Sequence, residues 1–142
     1  PPFALGLAGP PFDRFLPRRR VRTPVARMRT SWANARAIAT MLAQHSKVLA
    51  VHYPGLQSHP GHAIAARQQK GFGGMISFTL VGGLSAAKQV CESLSCFSLA
   101  ESLGGVESLV AHPATMTHAS LDFDAQRAAG IPDGFLRLSA GI

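Results

Sequence analysis

The sequence predicts an α/β fold in which a mostly antiparallel sheet is covered on one side by helices. Three observations carry that prediction. Met75 to Leu80 and Phe135 to Ile142 alternate apolar with polar residues at the two-residue period of a half-buried strand. Between positions 30 and 42, Ala35, Ile38, Ala39 and Leu42 recur at three- and four-residue spacing, the stripe of a helix lying against a sheet. Strand-like and helix-like segments alternate along the chain, and the links between them are compact, so one layer of helices suffices to cover the sheet. With 142 residues, 46% of them apolar, the chain is long enough to bury the core of one domain.

The elements follow in order. A proline-rich lead occupies residues 1–11. Pro17 and Pro24 then interrupt the next stretch; a proline inside a helix lacks a donor and clashes with the preceding turn at about 3 kcal/mol, so helix is expected to fail between 17 and 24. Thr30 or Ser31 caps the following helix. Val48 to Tyr53 reads as a strand ended by Pro54-Gly55, and Ser58 with Pro60 opens a short helix that Gly71 stops. After the Met75–Leu80 strand, Gly82-Gly83 turns the chain. Ser85 caps a helix to about Leu94, with Ala86, Val90 and Leu94 inward and Lys88, beside Ala87 and Gln89, on the exposed face. Cys96 to Leu99 is a short strand delivering the chain to Glu101. A helix from Asp124 to Ala129 ends at Gly130, and Pro132-Asp133-Gly134 turns into the last strand.

The formal charge of +7 is local: residues 1–29 hold seven arginines and one acid, and the remainder is nearly balanced. The run Arg18-Arg19-Arg20-Val21-Arg22 has no interleaved aromatic platform and no reading helix, so nucleic acid is not an expected partner. No apolar stretch approaches the roughly 20 residues of a membrane span, and no signal-peptide pattern is present, so a cytoplasmic protein is expected. On one continuous helix Cys91 and Cys96 would point about 140° apart, which predicts two free buried thiols rather than a disulfide. A metal is not expected either. Pro60-Gly61 breaks the helix that would align His59 with His62, and His112 and His118 have no acidic or cysteine partner at ligand spacing. Gly71-Phe72-Gly73-Gly74 leads into a strand, not a helix N-terminus, and reads as a turn rather than a phosphate loop.

Two segments can carry chemistry. Leu136, Leu138 and Ala140 share one face of the final strand, which leaves Arg137 on the other face with Phe135 and Ser139. A guanidinium facing a cleft holds a carboxylate through two parallel charge-assisted bonds; the alternative is a surface arginine paired with Asp122, Asp124 or Asp133. Glu101-Ser102-Leu103-Gly104-Gly105 leaves a strand for a glycine-permitted turn, so the backbone at Ser102 is able to approach a ligand closely. The alternative there is that Glu101 and Ser102 only cap the turn at 106–109.

LAESLGGVESL at 99–109, HPATMTHAS at 112–120 and LRLSAGI at 136–142, with HYPGL at 52–56, SHPGH at 58–62 and ARQQKGFGGMISF at 66–78, carry a resemblance. The chain resembles the C-terminal domain of the pyridoxal-phosphate enzymes of cysteine and methionine metabolism, a small domain of fold-type I. Within them it is most similar to the cystathionine gamma-synthase branch and next to the gamma-lyase branch. ALGLAGPPFD at 4–13 looks like the family's junction between domains. The resemblance thus implies an interdomain lead at 1–29, a substrate-binding domain at 30–142, and a cofactor-binding domain upstream; the chain is expected to be truncated at both ends. It implies that Arg137 grips the substrate α-carboxylate, that the Ser102 main chain contacts the same group, that Glu101 reads the distal end of the substrate, and that Thr115, Thr117 and His118 support the pocket wall.

The cofactor implied is pyridoxal phosphate, an electron sink that needs a Schiff-base lysine. Lys47, Lys70 and Lys88 are the chain's lysines, and none stands in the family's Ser-x-x-Lys segment, so all three read as solvated and no catalytic residue is expected in this chain. The intact enzyme would join an activated homoserine ester to cysteine to give cystathionine, in a homotetramer. The alternatives are a lyase cleaving cystathionine and a non-catalytic remnant, which the coding sequence upstream of Pro1 would tell apart from a partial gene.

Overall fold

In the computed structural model, which describes residues 9–142, five strands form one sheet in the order β1-β2-β5-β4-β3. The strands are β1 (Val48–His52), β2 (Met75–Leu80), β3 (Ser98–Leu99), β4 (Leu109–Ala111) and β5 (Phe135–Ser139). The helices are α1 (Pro11–Arg20), α2 (Pro24–Ala43), α3 (His62–Gln68), α4 (Gly83–Ser93) and α5 (Phe123–Ala128). Every pairing is antiparallel except β3 with β4.

The pleat sorts the two faces. In β2, Ile76, Phe78 and Leu80 are buried; across the ladder Ile76 pairs with Leu138 and Phe78 with Leu136, and Val110 of β4 pairs with Leu138. These residues form one apolar layer, over which α2 lays Ala35, Ala39 and Leu42 and α4 lays Ala87. Burial of this layer is the main force holding helices to sheet. Ser77, Thr79 and Arg137 fall on the opposite face by the alternation of the strands. The mostly antiparallel sheet with α2 and α4 on one side is the architecture expected from the sequence.

Several local expectations are corrected. α2 begins at Pro24 rather than at a Thr30 or Ser31 cap. A proline at the first helical position lacks only a donor that would have no partner there, so it starts the helix instead of stopping it. Ser31 is buried in mid-helix, and Thr30 donates back to the Ala26 carbonyl. The break expected across 17–24 narrows to 21–23, because α1 continues through Pro17. α2 accordingly runs unbroken past residue 29, where the lead was divided from the rest. Residues 4–8 of the junction segment lie outside the described residues.

α3 starts at His62 behind a series of turns, not at Ser58 or Pro60, and Gly71 lies beyond its end. Gly71 serves packing: a Cβ there would meet the Trp32 ring at 2.9 Å. α4 starts at Gly83 with no side-chain cap, and Ala87, placed beside exposed Lys88 on the sequence pattern, is fully buried. β3 is reduced to Ser98–Leu99. Cys91 is half-buried and Cys96 exposed, so the pair is not the two buried thiols expected. β4 was not foreseen, since three residues show no period of their own.

Candidate functional site

β5 lies in the middle of the sheet between β2 and β4, and its alternation delivers Arg137 to the face away from the helices. β3 ends beside it. The Ala100 amide donates to the Val110 carbonyl at 3.0 Å, and the chain leaves the sheet at Glu101. Ser102 then adopts φ 112°, the one described non-glycine residue in the left-handed region. A non-glycine residue is held there only by its surroundings, at about 1–3 kcal/mol, and such positions concentrate at ligand sites.

The two segments meet. Arg137 donates from Nη2 to the Ser102 carbonyl at 3.4 Å. That long contact engages one of five guanidinium N–H groups, and it is the only hydrogen bond of that side chain among the described residues. The surface-arginine alternative had paired Arg137 with nearby aspartates; Asp122 instead accepts from the Ala125 amide at 2.8 Å and caps α5.

The loop after Ser102 is secured from several directions. The Gly104 amide donates to Ser139 Oγ at 3.0 Å, and Arg27 Nη1 donates to the Gly104 carbonyl at 2.9 Å. Further on, the Ile142 amide donates to the Val106 carbonyl and the Gly141 amide to Ser108 Oγ, each at 3.0 Å. Gly141 permits this approach, because a Cβ there would collide with the Val106 carbonyl oxygen. A cleft of about 360 Å³ runs along the outside of the loop, lined by Arg20, Thr23, Arg27, Ser102, Gly104 and Glu107 among others.

Of the residues singled out in the sequence, Arg137 and Ser102 are in contact, and Glu101 is brought next to them by the chain, exposed. Thr117 and His118 are bonded to each other, Oγ1 to Nδ1 at 2.8 Å, and to neither of those residues. Their neighbour His112, weighed in the sequence only as a metal ligand, has a structural role instead. It is 5% exposed, its Nε2 donates to the Asp133 carbonyl at 2.9 Å, and its Nδ1 lies 2.8 Å from Thr115 Oγ1. It ties the turn after β4 to the turn that launches β5. Arg27 has no site role on the sequence alone; the signal for it is a bond across 77 residues, which no local pattern announces.

The other histidines are engaged locally: His62 Nδ1 donates to the Pro54 carbonyl and His59 Nδ1 accepts from the Gly61 amide. Among the described residues no three His, Cys, Asp or Glu side chains are grouped to hold a metal, and no helix is long and apolar enough to cross a membrane. Lys47, Lys70 and Lys88 are exposed, and Lys88 stands on α4, on the covered side of the sheet away from Arg137.

Comparison with known proteins bears on this arrangement. Cystathionine gamma-synthase from Xanthomonas oryzae pv. oryzae is 60% identical over 98% of this chain and 36% of its own, with a TM-score of 0.91; its structures were solved with aminoacrylate and cysteine and with cystathionine. Cystathionine beta-lyase from Coxiella burnetii is 50% identical over 98% of this chain and 36% of its length. Cystathionine gamma-synthase from Mycobacterium bovis is 52% identical over 93% of this chain and 33% of its length. The chain thus spans about a third of the curated relatives it matches. Residues 2–142 match the sequence model described as Cys/Met metabolism PLP-dependent enzyme. The chain belongs to the family of PLP-dependent enzymes of cysteine and methionine metabolism.

Proposed function

We propose that residues 30–142 are the substrate-carboxylate part of a cystathionine gamma-synthase, joined through the lead at 1–29 to a cofactor-binding part outside this chain. The observation that carries the reading is the 3.4 Å contact of the Arg137 guanidinium with the Ser102 carbonyl, on the sheet face that α2 and α4 leave uncovered. A substrate α-carboxylate takes the free N–H pairs of the fork, which would strengthen as the weak carbonyl contact is exchanged for an anion. Glu101, exposed just beyond β3, is the residue proposed to read the far end of an amino-acid substrate. Thr117 and His118 brace each other in the loop after β4 and form part of the wall.

The three exposed lysines do not fit the anchoring of pyridoxal phosphate at this site, so the proposed cofactor-binding part outside this chain would supply its lysine and phosphate donors. When bound, the cofactor supplies an electron sink for carbanion chemistry. This chain's own residues orient the amino acid, which lowers the barrier by fixing geometry rather than by reacting.

The substrates proposed are an activated homoserine ester and cysteine, with cystathionine as product, in a cytoplasmic homotetramer. The higher identity to the Xanthomonas gamma-synthase, 60% against 50% for the Coxiella beta-lyase, favours synthesis over cleavage. Assay of the full-length protein with succinylhomoserine plus cysteine, against cystathionine alone, tests the order. Faster cleavage than synthesis reverses it in favour of a lyase; no turnover by a folded, cofactor-loaded protein favours a non-catalytic remnant.

A further inference from the structure

Gly104 is gripped on both sides of its Cα by residues far from it and from each other in the chain. Its carbonyl accepts from Arg27 Nη1 at 2.9 Å and its amide donates to Ser139 Oγ at 3.0 Å. Its φ of 72° needs a glycine for conformation and not for room, since a Cβ there would meet nothing within 4 Å. Two residues earlier stands Ser102, itself in the left-handed region and touched by Arg137. What holds Gly104 therefore holds the carbonyl against which Arg137 rests.

Arg27 is itself braced. Its Nε donates to Thr23 Oγ1 at 3.2 Å, and that hydroxyl donates to the Arg20 carbonyl at 3.2 Å. The hydroxyl thus uses its single proton on one side and accepts on the other. One continuous line of hydrogen bonds runs from the break between α1 and α2, through Thr23 and Arg27, to Gly104 and on to Ser139, two residues from Arg137 in β5. The planar fork of Arg27 serves two partners at once, in two directions that a single ammonium does not reproduce.

We infer that Arg27 is a positioning residue for the substrate carboxylate: by holding the Gly104 carbonyl it fixes the Ser102 backbone and, through it, the aim of the Arg137 guanidinium. The inference rests on the carboxylate role proposed for Arg137. It makes the lead and the first turn of α2 an outer arm of the site, with the Arg20–Thr23–Arg27 cleft as its hinge side. Misplacement of a binding group by a fraction of an ångström to an ångström lowers affinity without removing any contact to the ligand.

The test is steady-state kinetics of the full-length enzyme. Arg27→Met is expected to raise KM for the amino-acid substrate about tenfold with kcat within about twofold, and Arg27→Lys to recover part of that loss. Ser139→Ala is expected to act in the same direction, and the double variant Arg27→Met with Ser139→Ala to raise KM by less than the product of the single effects, as for two groups acting on one loop. A KM within twofold of the parent in Arg27→Met, even with a lowered melting temperature, overturns the inference. If Arg27→Met does not fold, Arg27→Lys decides: about threefold in KM supports positioning and no change overturns it. Arg137→Lys separates the two layers of argument. If it raises KM while the Arg27 variants do not, only the positioning role falls; if it leaves KM untouched, the carboxylate reading falls first.

Discussion

The imidazole of His112 donates to the carbonyl of Asp133 at 2.9 Å, stitching the end of β4 to the turn that starts β5. Because a carbonyl only accepts, Nε2 carries a proton, which in the neutral ring leaves Nδ1 to accept from Thr115. Replacing His112 by alanine removes both bonds and empties the buried site of the ring. The expected loss is about 2 kcal/mol, two hydrogen bonds at about 1 kcal/mol each, read as a lowered urea midpoint of the full-length protein. A midpoint unchanged within error would show that the two turns hold without this link.

Arg137→Lys preserves charge and removes the fork. If the substrate carboxylate is held by two parallel bonds, KM for the amino-acid substrate should rise roughly 10- to 100-fold, the equivalent of about 1.4–2.8 kcal/mol. A kcat effect with KM intact would place Arg137 elsewhere in the reaction cycle.

Ser102 offers a test of backbone strain. A β-branched residue at φ 112° is a genuine outlier, so Ser102→Val should destabilise by about 1–3 kcal/mol, whereas Ser102→Gly should be neutral within about 1 kcal/mol. Thermal melts of both variants check this. Equal melting temperatures would mean that the loop relaxes away from the left-handed region.

Alkaline pH should loosen the core at two points. Burial pushes the Tyr53 phenol above its ordinary value of 10.0, partly offset by Arg36, and burial together with Glu92 pushes the Cys91 thiol above 9.0, partly offset by a backbone hydrogen bond. Both groups keep their protons longer in the folded chain than in the unfolded one. Their contribution is therefore whole below about pH 9 and is lost as pH climbs through the folded values, because the unfolded chain ionises first. Tyr53 also donates to the Gly73 carbonyl at 3.1 Å. Tyr53→Phe should accordingly lower stability near neutrality by about 1 kcal/mol and flatten the decline above pH 10; a decline as steep as in the parent would assign the alkaline sensitivity to other groups.

The legible parts of the fold were those whose cause is local. β2 and β5 announce themselves because a pleat repeats every two residues, and α2 because its stripe of Ala35, Ala39 and Leu42 repeats along one helix. The same alternation placed Arg137 on the open face, and the glycines after Ser102 marked a close bend. What escaped depends on partners distant in sequence. β4 is a strand only because Ser98–Leu99 and β5 flank it. Ala87 is buried because α4 leans that side onto the sheet, while a stretch with alanines at 86 and 87 leaves the inward side ambiguous. Arg27 and His112 matter through bonds spanning 77 and 21 residues, and Pro24 misleads because proline both ends helices and begins them.

β5 carries two obligations on alternate residues. Leu136 and Leu138 are gripped in the interior, and Arg137 between them projects from the face that α2 and α4 leave uncovered. A strand is too stiff to satisfy one set while ignoring the other, so a change of shape beneath Leu136 or Leu138 rocks the guanidinium above it. Under the carboxylate role proposed for Arg137, drift among residues such as Ala35 or Ala39 of α2 would thereby retune ligand preference from behind the sheet.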